Sequence, residues 1–173
     1  MTVKAWDSPI GALYAELENS CLCALRFEAE DTANRCALES CLNGRDADAL
    51  KHLRDWLARF FAKETLPLDS ITLSLHGSTF QQRVWEELKR IPTGGTVSYG
   101  QIALRLEQQY GKRVSAQAVG GAVGKNPVPI LLPCHRVIGA DGRLVGYGGG
   151  IERKVWLLEH EGFMVKDGRV MER

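Results

Sequence analysis

The stretch Ser98-Tyr-Gly-Gln-Ile-Ala-Leu-Arg-Leu-Glu-Gln-Gln-Tyr-Gly-Lys-Arg-Val-Ser-Ala-Gln-Ala-Val-Gly-Gly-Ala-Val123 reads as a helix, a basic turn and a second helix. Ser98 followed three residues later by Gln101 is a capping-box pattern, in which two side chains satisfy amides that a helix start leaves without partners. Tyr99, Ile102, Ala103 and Leu106 recur at helical spacing, and Gly111 offers a stop before the turn Gly111-Lys-Arg113. The next helix runs from about Ser115 to Val123. Upstream, Ser78-Thr-Phe-Gln81 repeats the cap, Phe80, Val84, Leu88 and Ile91 line one face, and Pro92-Thr-Gly-Gly95 ends that helix. The arrangement predicted is a helix-turn-helix. Gly120-Gly121 inside the last helix costs roughly 1 kcal/mol per glycine against alanine. Two readings stay open for the pair: close packing of helices in the core, or close backbone approach to a groove of DNA.

Outward toward the N-terminus the pattern changes to short strands. Val3 to Trp6, Ala12 to Glu18 and Cys21 to Phe27, separated by Asp7-Ser-Pro-Ile-Gly11 and Asn19-Ser20, predict an antiparallel meander. Asp46 to Lys63 reads as a helix that packs Leu50, Leu53, Leu57, Phe60 and Phe61 on the sheet. Thr65 to Gly77 reads as a connection. The expected fold is therefore mixed α/β of the α+β kind: residues 1–75 form a small sheet-and-helix domain, and residues 76–173 form a mostly helical one. Charge divides at the same place. Residues 1–75 hold 8 Lys+Arg against 12 Asp+Glu and residues 76–173 hold 14 against 9, so a basic half follows an acidic one. That asymmetry suits a nucleic-acid face on the second half, although the whole chain is only +1.

Cysteine usage bounds the compartment. The five cysteines, Cys21, Cys23, Cys36, Cys41 and Cys134, are odd in number, and no charged and apolar leader precedes them, which argues for a reducing cytoplasm without a disulfide framework. Cys21-x-Cys23 has no paired spacing or nearby His in sequence and reads as part of a strand, so no metal site is expected. No apolar run is long enough for a membrane span.

Downstream, Asn126-Pro-Val-Pro-Ile-Leu-Leu-Pro-Cys-His-Arg-Val-Ile138 carries prolines at 127, 129 and 133 and is expected to be a stiff extended segment. It ends in Cys134, with His135 and Arg136 beside it. A cysteine among apolar residues is commonly a small buried hydrophobe; alternatively, two neighbouring cationic groups would depress its pKa and make a nucleophilic thiolate. Gly139-Ala-Asp-Gly142 reads as a turn. Leu144 to Gly150 is a glycine-rich loop without the ending of a phosphate loop, and Ile151 to His160 is a final helix with Glu161 at its end.

Pro133-Cys-His-Arg-Val137 is preceded by Gly120-Gly-Ala-Val-Gly-Lys-Asn-Pro127 and followed by Gly146-Tyr-Gly-Gly149 and Trp156-Leu-Leu-Glu-His-Glu-Gly162. From about Phe80 to Gly162 the chain resembles the O6-alkylguanine-DNA alkyltransferases, and Asp7-Ser-Pro-Ile-Gly11 resembles their N-terminal domain more weakly. The resemblance implies DNA repair by irreversible transfer of an alkyl group from guanine O6 to Cys134, one lesion per protein. It implies His135 as the base acting through water, Glu161 as its orienting partner, Tyr99 as a donor toward the base, and Asn126 as the hinge of the site. Ser115, Ala116, Gln117, Ala118, Gly120 and Arg136 are implied at the DNA, with the helix in the minor groove. Val137, Ile138, Tyr147 and Gly148 are implied around an extruded base. No cofactor is implied. The partner is double-stranded DNA holding O6-alkylguanine, with O4-alkylthymine as a second candidate lesion, and the protein acts as a monomer.

Gln117 stands where the family usually has an arginine that fills the gap left by the extruded base. Glutamine lacks the charge and the planar stacking of arginine, so weaker duplex binding or altered lesion preference is expected. Gly148, with no side chain at the pocket wall, suggests room for alkyl groups larger than methyl. Two other functions compete: a Cys-His hydrolase or acyltransferase that turns over, and a helix-turn-helix protein that binds lesions without transfer.

Overall fold

A computed structural model describes residues 2–27, 44–64 and 71–171. It is a mixed α+β protein in two compact units, Met1–His76 and Gly77–Arg173.

In the first unit, β1 (Thr2–Trp6), β2 (Leu13–Glu18) and β3 (Cys21–Arg26) form an antiparallel sheet in that order. Asn19 and Ser20 make the two-residue turn between β2 and β3 with positive φ at both positions, the geometry that matches strand twist in a hairpin. Leu13, Ala15 and Leu17 alternate inward, and α1 (Gly44–Phe61) buries Leu50, Leu53, Trp56, Leu57 and Phe60. Trp56 joins the predicted stripe, while Phe61 is only half-buried. The start of α1 is tied to the hairpin turn because the Ser20 hydroxyl donates to the buried Asp46 carboxylate at 2.7 Å. Residues 71–74, expected to be plain connection, lie parallel beside β3: Leu22 N–H donates to the Thr72 carbonyl and Ser74 N–H to the Leu22 carbonyl, both at 2.9 Å. The strand edge supplies amide partners that a mixed-polarity sequence does not reveal.

In the second unit, α2 (Thr79–Lys89) and α3 (Tyr99–Tyr110) both begin with complete capping boxes at Ser78 and Ser98. α3 ends on Gly111 at φ 66°, and α4 (Ala116–Gly124) is capped by Ser115. Val84, Trp85, Leu88, Ile102, Leu106 and Val119 make the core between them. Trp85 contributes more than area, since its indole N–H donates at 3.0 Å to the Ala122 carbonyl and so pins α2 to α4. A short parallel pair, β4 (Val97–Ser98) with β5 (Val137–Ile138), lays the cap of α3 beside the residues that follow Cys134. After α5 (Ile151–His160), a small hairpin of β6 (Val165–Lys166) and β7 (Arg169–Val170) closes the unit, an element with no counterpart in the sequence expectations.

The segment 126–138 is not extended as expected. It folds back on itself: Leu132 N–H donates to the Val128 carbonyl at 3.0 Å, Ile130 sits at φ 74°, and Cys134–Arg136 form one 3-10 turn. Proline fixes φ only at its own position and biases the residue before it, so 130 and 131 remain free to turn. Burial of residues 128–138 then requires their amides to find partners inside the segment.

Replacing Trp85 with Phe is expected to remove the indole donor to the Ala122 carbonyl, which keeps only the Lys125 N–H at 3.2 Å, and to destabilise this unit by about 0.5–1.5 kcal/mol. Urea unfolding followed by circular dichroism checks it; an unchanged midpoint would show that the indole hydrogen bond contributes nothing.

Candidate active site

The 3-10 turn places Cys134 in the interior, 5% exposed. Asn126, just after α4, holds it there. The Asn126 amide donates to the Leu132 carbonyl at 2.8 Å and to Cys134 Sγ at 2.9 Å, and its oxygen accepts from Val128 N–H at 3.0 Å. Both ends of the side chain are thus engaged, which fixes its orientation. Burial pushes the Cys134 thiol above its ordinary pKa. Against that act the Asn126 N–H, the charge of Lys154, the local backbone and the Tyr147 hydroxyl, each of which favours the thiolate. The expected depression by His135 and Arg136 does not occur. Desolvation dominates, and the cation acting on the sulfur is Lys154, which sequence reasoning passed over because it stands 20 residues from the cysteine inside an ordinary helical pattern.

His135 is fully buried, and its Nε2 lies 3.1 Å from Glu161 Oε1. Burial holds the imidazole below its ordinary pKa, Glu161 pulling the other way, so the ring is neutral near pH 7. With Glu161 accepting at Nε2, the tautomer assigned is Nε2–H, which leaves Nδ1 as a lone pair; Nδ1 is buried without a hydrogen-bond partner among the described residues. Glu161 itself has a side chain 2% exposed. Desolvation alone would raise its pKa, but hydrogen bonds from His135 and Arg136 and the charge of the Arg136 guanidinium outweigh it and bring the carboxyl from 4.5 to about 2.

Arg136 corrects the expectation that it meets DNA. Its Nε and Nη2 donate to the Glu161 carboxylate at 2.6–3.1 Å, Nη1 donates to the Ile91 carbonyl at 2.7 Å, and Nη2 reaches Thr93 Oγ1 at 3.2 Å. At 8% exposure the guanidinium is consumed inside the protein and is not available to a phosphate.

Of the residues expected around the base, Tyr147 donates its hydroxyl toward the Cys134 sulfur. Val137 and Ile138 are buried in β5, the Tyr147 hydroxyl is buried, and Gly148 is exposed, where an added Cβ would meet only the Gly124 carbonyl at an ordinary 3.6 Å. Burial, and then the charge of Cys134, raise the Tyr99 and Tyr147 phenols, so both remain protonated donors. Tyr99 donates to the Val145 carbonyl at 3.0 Å. The same carbonyl, with those of Val137 and Gly146, accepts from Lys154 Nζ.

The α4 surface forms a second feature. Ser115, Ala116, Gln117, Ala118, Gly121 and Gly124 are exposed, while Val119, Ala122 and Val123 face the core. A Cβ on Gly121 would touch nothing among the described residues, and one on Gly120 would only approach the Tyr99 ring at 3.7 Å. Helix packing therefore does not require the glycine pair. A groove of about 910 Å³ flanks the start of α4 between Phe80, Arg83, Tyr110, Lys112 and Arg113, with the Arg83 guanidinium 3.7 Å over the Tyr110 ring. Cys134 is not part of that groove, so its volume does not mark the reacting centre.

Residues 79–163 match the family described as 6-O-methylguanine DNA methyltransferase, DNA binding domain, and residues 1–75 match its ribonuclease-like domain. A methylated-DNA–protein-cysteine methyltransferase of Salmonella typhimurium is 46% identical over 65% of this chain and 64% of its own length. One from Mycobacterium bovis is 46% identical over 90% of this chain and 88% of its own. A solved structure of Mycobacterium tuberculosis OGT in complex with DNA is 43% identical, with a TM-score of 0.75 covering 93% of this chain and 92% of that one.

Glu161 has a consequence for acid stability. Its folded pKa is depressed, so its contribution is fully present above the unfolded value near 4.5 and is lost as pH falls through about 2. Denaturant midpoints are expected to drop between pH 4.5 and 2 by roughly 3 kcal/mol from this group. Glu161→Gln should lack that component and cost about 3–5 kcal/mol at pH 7, because Arg136 is left buried without its anion.

Proposed function

This chain belongs to the methylated-DNA–protein-cysteine methyltransferase family, also called the O6-alkylguanine-DNA alkyltransferases, and from that premise we propose that it repairs DNA by moving an alkyl group from guanine O6 to Cys134. The carrying observation is the buried thiol held by Asn126 next to a neutral His135 whose Nδ1 remains open. Nδ1 takes the thiol proton, through a water. The thiolate attacks the alkyl carbon from the side opposite O6, a carbon–sulfur bond forms, the carbon–oxygen bond breaks, and its electron pair stays on the base. A proton donor then restores neutral guanine; Tyr99, protonated at the pocket wall, fills that role. Glu161 positions the imidazole and stabilises it while it carries the proton. Nothing in this chemistry breaks the thioether, so each protein acts once.

The residue 76–173 domain carries both transfer and binding. α3 and α4 act as a helix-turn-helix, with α4 laid in the minor groove. Its exposed small residues Ala116, Ala118 and Gly121 allow close approach, and the amides at its Ser115-capped start meet phosphate. The lesion base is turned out of the stack toward Cys134, between Tyr99, Val137, Ile138, Tyr147 and Gly148. We assign O6-alkylguanine as the substrate, a monomer as the working form and the cytoplasm as its place; none of the described helices is long and apolar enough to cross a membrane.

Mixed with excess duplex holding O6-methylguanine, the protein should gain one methyl per chain, found by peptide mass on Cys134, and Cys134→Ser should gain none. Repeated turnover, or lesion loss with a bare cysteine, would replace transfer with hydrolysis. Gln117→Arg should bind duplex DNA more tightly and with a steeper salt dependence, since it adds one cation on the exposed α4 surface. Equal affinity and slope would remove Gln117 from the interface.

A further inference from the structure

We propose that Lys154 is a positioning residue for the transfer: its buried cation clamps the segment 145–146 to Val137 and keeps Val145 satisfied when Tyr99 leaves that carbonyl for the incoming base. The inference rests on the alkyl-transfer reading. Lysine is almost never fully buried without a counter-charge, yet Lys154, in the first turn of α5, is 0% exposed. Its three donors go to backbone oxygens: Val137 at 2.6 Å, Val145 at 3.2 Å and Gly146 at 3.3 Å. Two of these oxygens lie on the loop before Tyr147, and the third lies directly after the Cys134–Arg136 turn. One ammonium therefore joins the nucleophile's strand to the opposite wall of the pocket.

The doubly served carbonyl is what turns a structural clamp into a positioning device. Val145 accepts from both Tyr99 Oη and Lys154 Nζ. If Tyr99 redirects its hydroxyl to a base, Lys154 prevents the carbonyl from being orphaned, so the wall stays in place while the donor is freed. Charge adds to the effect. Cys134 lies within electrostatic reach of the ammonium and gains thiolate character from it, and His135 on the same turn feels the cation too. Glu161 and Arg136 behind His135 neutralise each other, and Tyr99 and Tyr147 stay protonated. The reacting form thus carries thiolate and ammonium together. Burial lowers the Lys154 pKa to about 8, with Cys134 opposing it. The rate should therefore peak between the apparent pKa values of the pair and fall on the alkaline side as the clamp discharges.

The test uses the full chain as wild type, Lys154→Met and Lys154→Gln. Cys134 alkylation by iodoacetamide, without DNA, is followed by peptide mass from pH 6 to 10, with Cys21 in the same digest as internal control. Methyl transfer from an O6-methylguanine duplex is followed over the same range. In both variants iodoacetamide reaction at pH 7 should slow by about tenfold. Methyl transfer should slow further, and the alkaline fall in methyl transfer should disappear. Variants that melt like wild type and keep its rates and pH profiles would overturn the proposal. If the variants do not fold, wild type alone decides: transfer that keeps rising to pH 10 overturns it. Wild type that never methylates Cys134 removes the alkyl-transfer reading instead, while the iodoacetamide profile still judges whether Lys154 acts on the sulfur.

Discussion

A carboxylate sealed from water organises this site. Glu161, at the end of α5, survives as an anion only because Arg136 forks onto it and His135 donates to it. The anion balances the guanidinium and accepts from His135, while burial keeps the imidazole neutral. Since α5 also carries Lys154, the same helix sets the imidazole from one end and the pocket wall from the other.

Geometry at the sulfur follows from connections that are short in space and long in sequence. The β4–β5 pairing sets Ser98 against Ile138, so the helix cap that starts α3 also delivers Tyr99 to the wall opposite Cys134. Asn126 makes the matching connection from α4, with one amide shared between a carbonyl and the sulfur. The surface proposed to meet DNA and the thiol proposed to react are thus joined by two fixed points rather than by a flexible loop. Hydrophobic burial makes the thiol less acidic, and the local donors and Lys154 work against that cost. A sulfur protected in this way is shielded from bulk solvent until a base fills the cleft, where a preorganised donor set acts without reorganising.

Local rules were enough for much of the chain. Caps at Ser78, Ser98 and Ser115, the helical stripes on α1, α2 and α3, and the three-stranded meander all depend on residues a few positions apart, and all appear close to where spacing placed them. The motif around Cys134 likewise pointed to its neighbours Asn126, His135 and Glu161, and the structure brings them together. What periodicity could not supply was direction. Arg136 next to a cysteine looks like a surface cation until Ile91, Thr93 and Glu161, 25 to 45 residues away, are seen to consume it. Lys154 looks like a solvated helix residue until burial reveals its three carbonyls. The prolines suggested a rail, but the need to pair buried amides bent it into a turn. Short-range steric and hydrogen-bonding preferences are written in neighbouring residues. The fate of a charge is decided by which distant groups share its low-dielectric surroundings, and only the assembled fold brings those groups together.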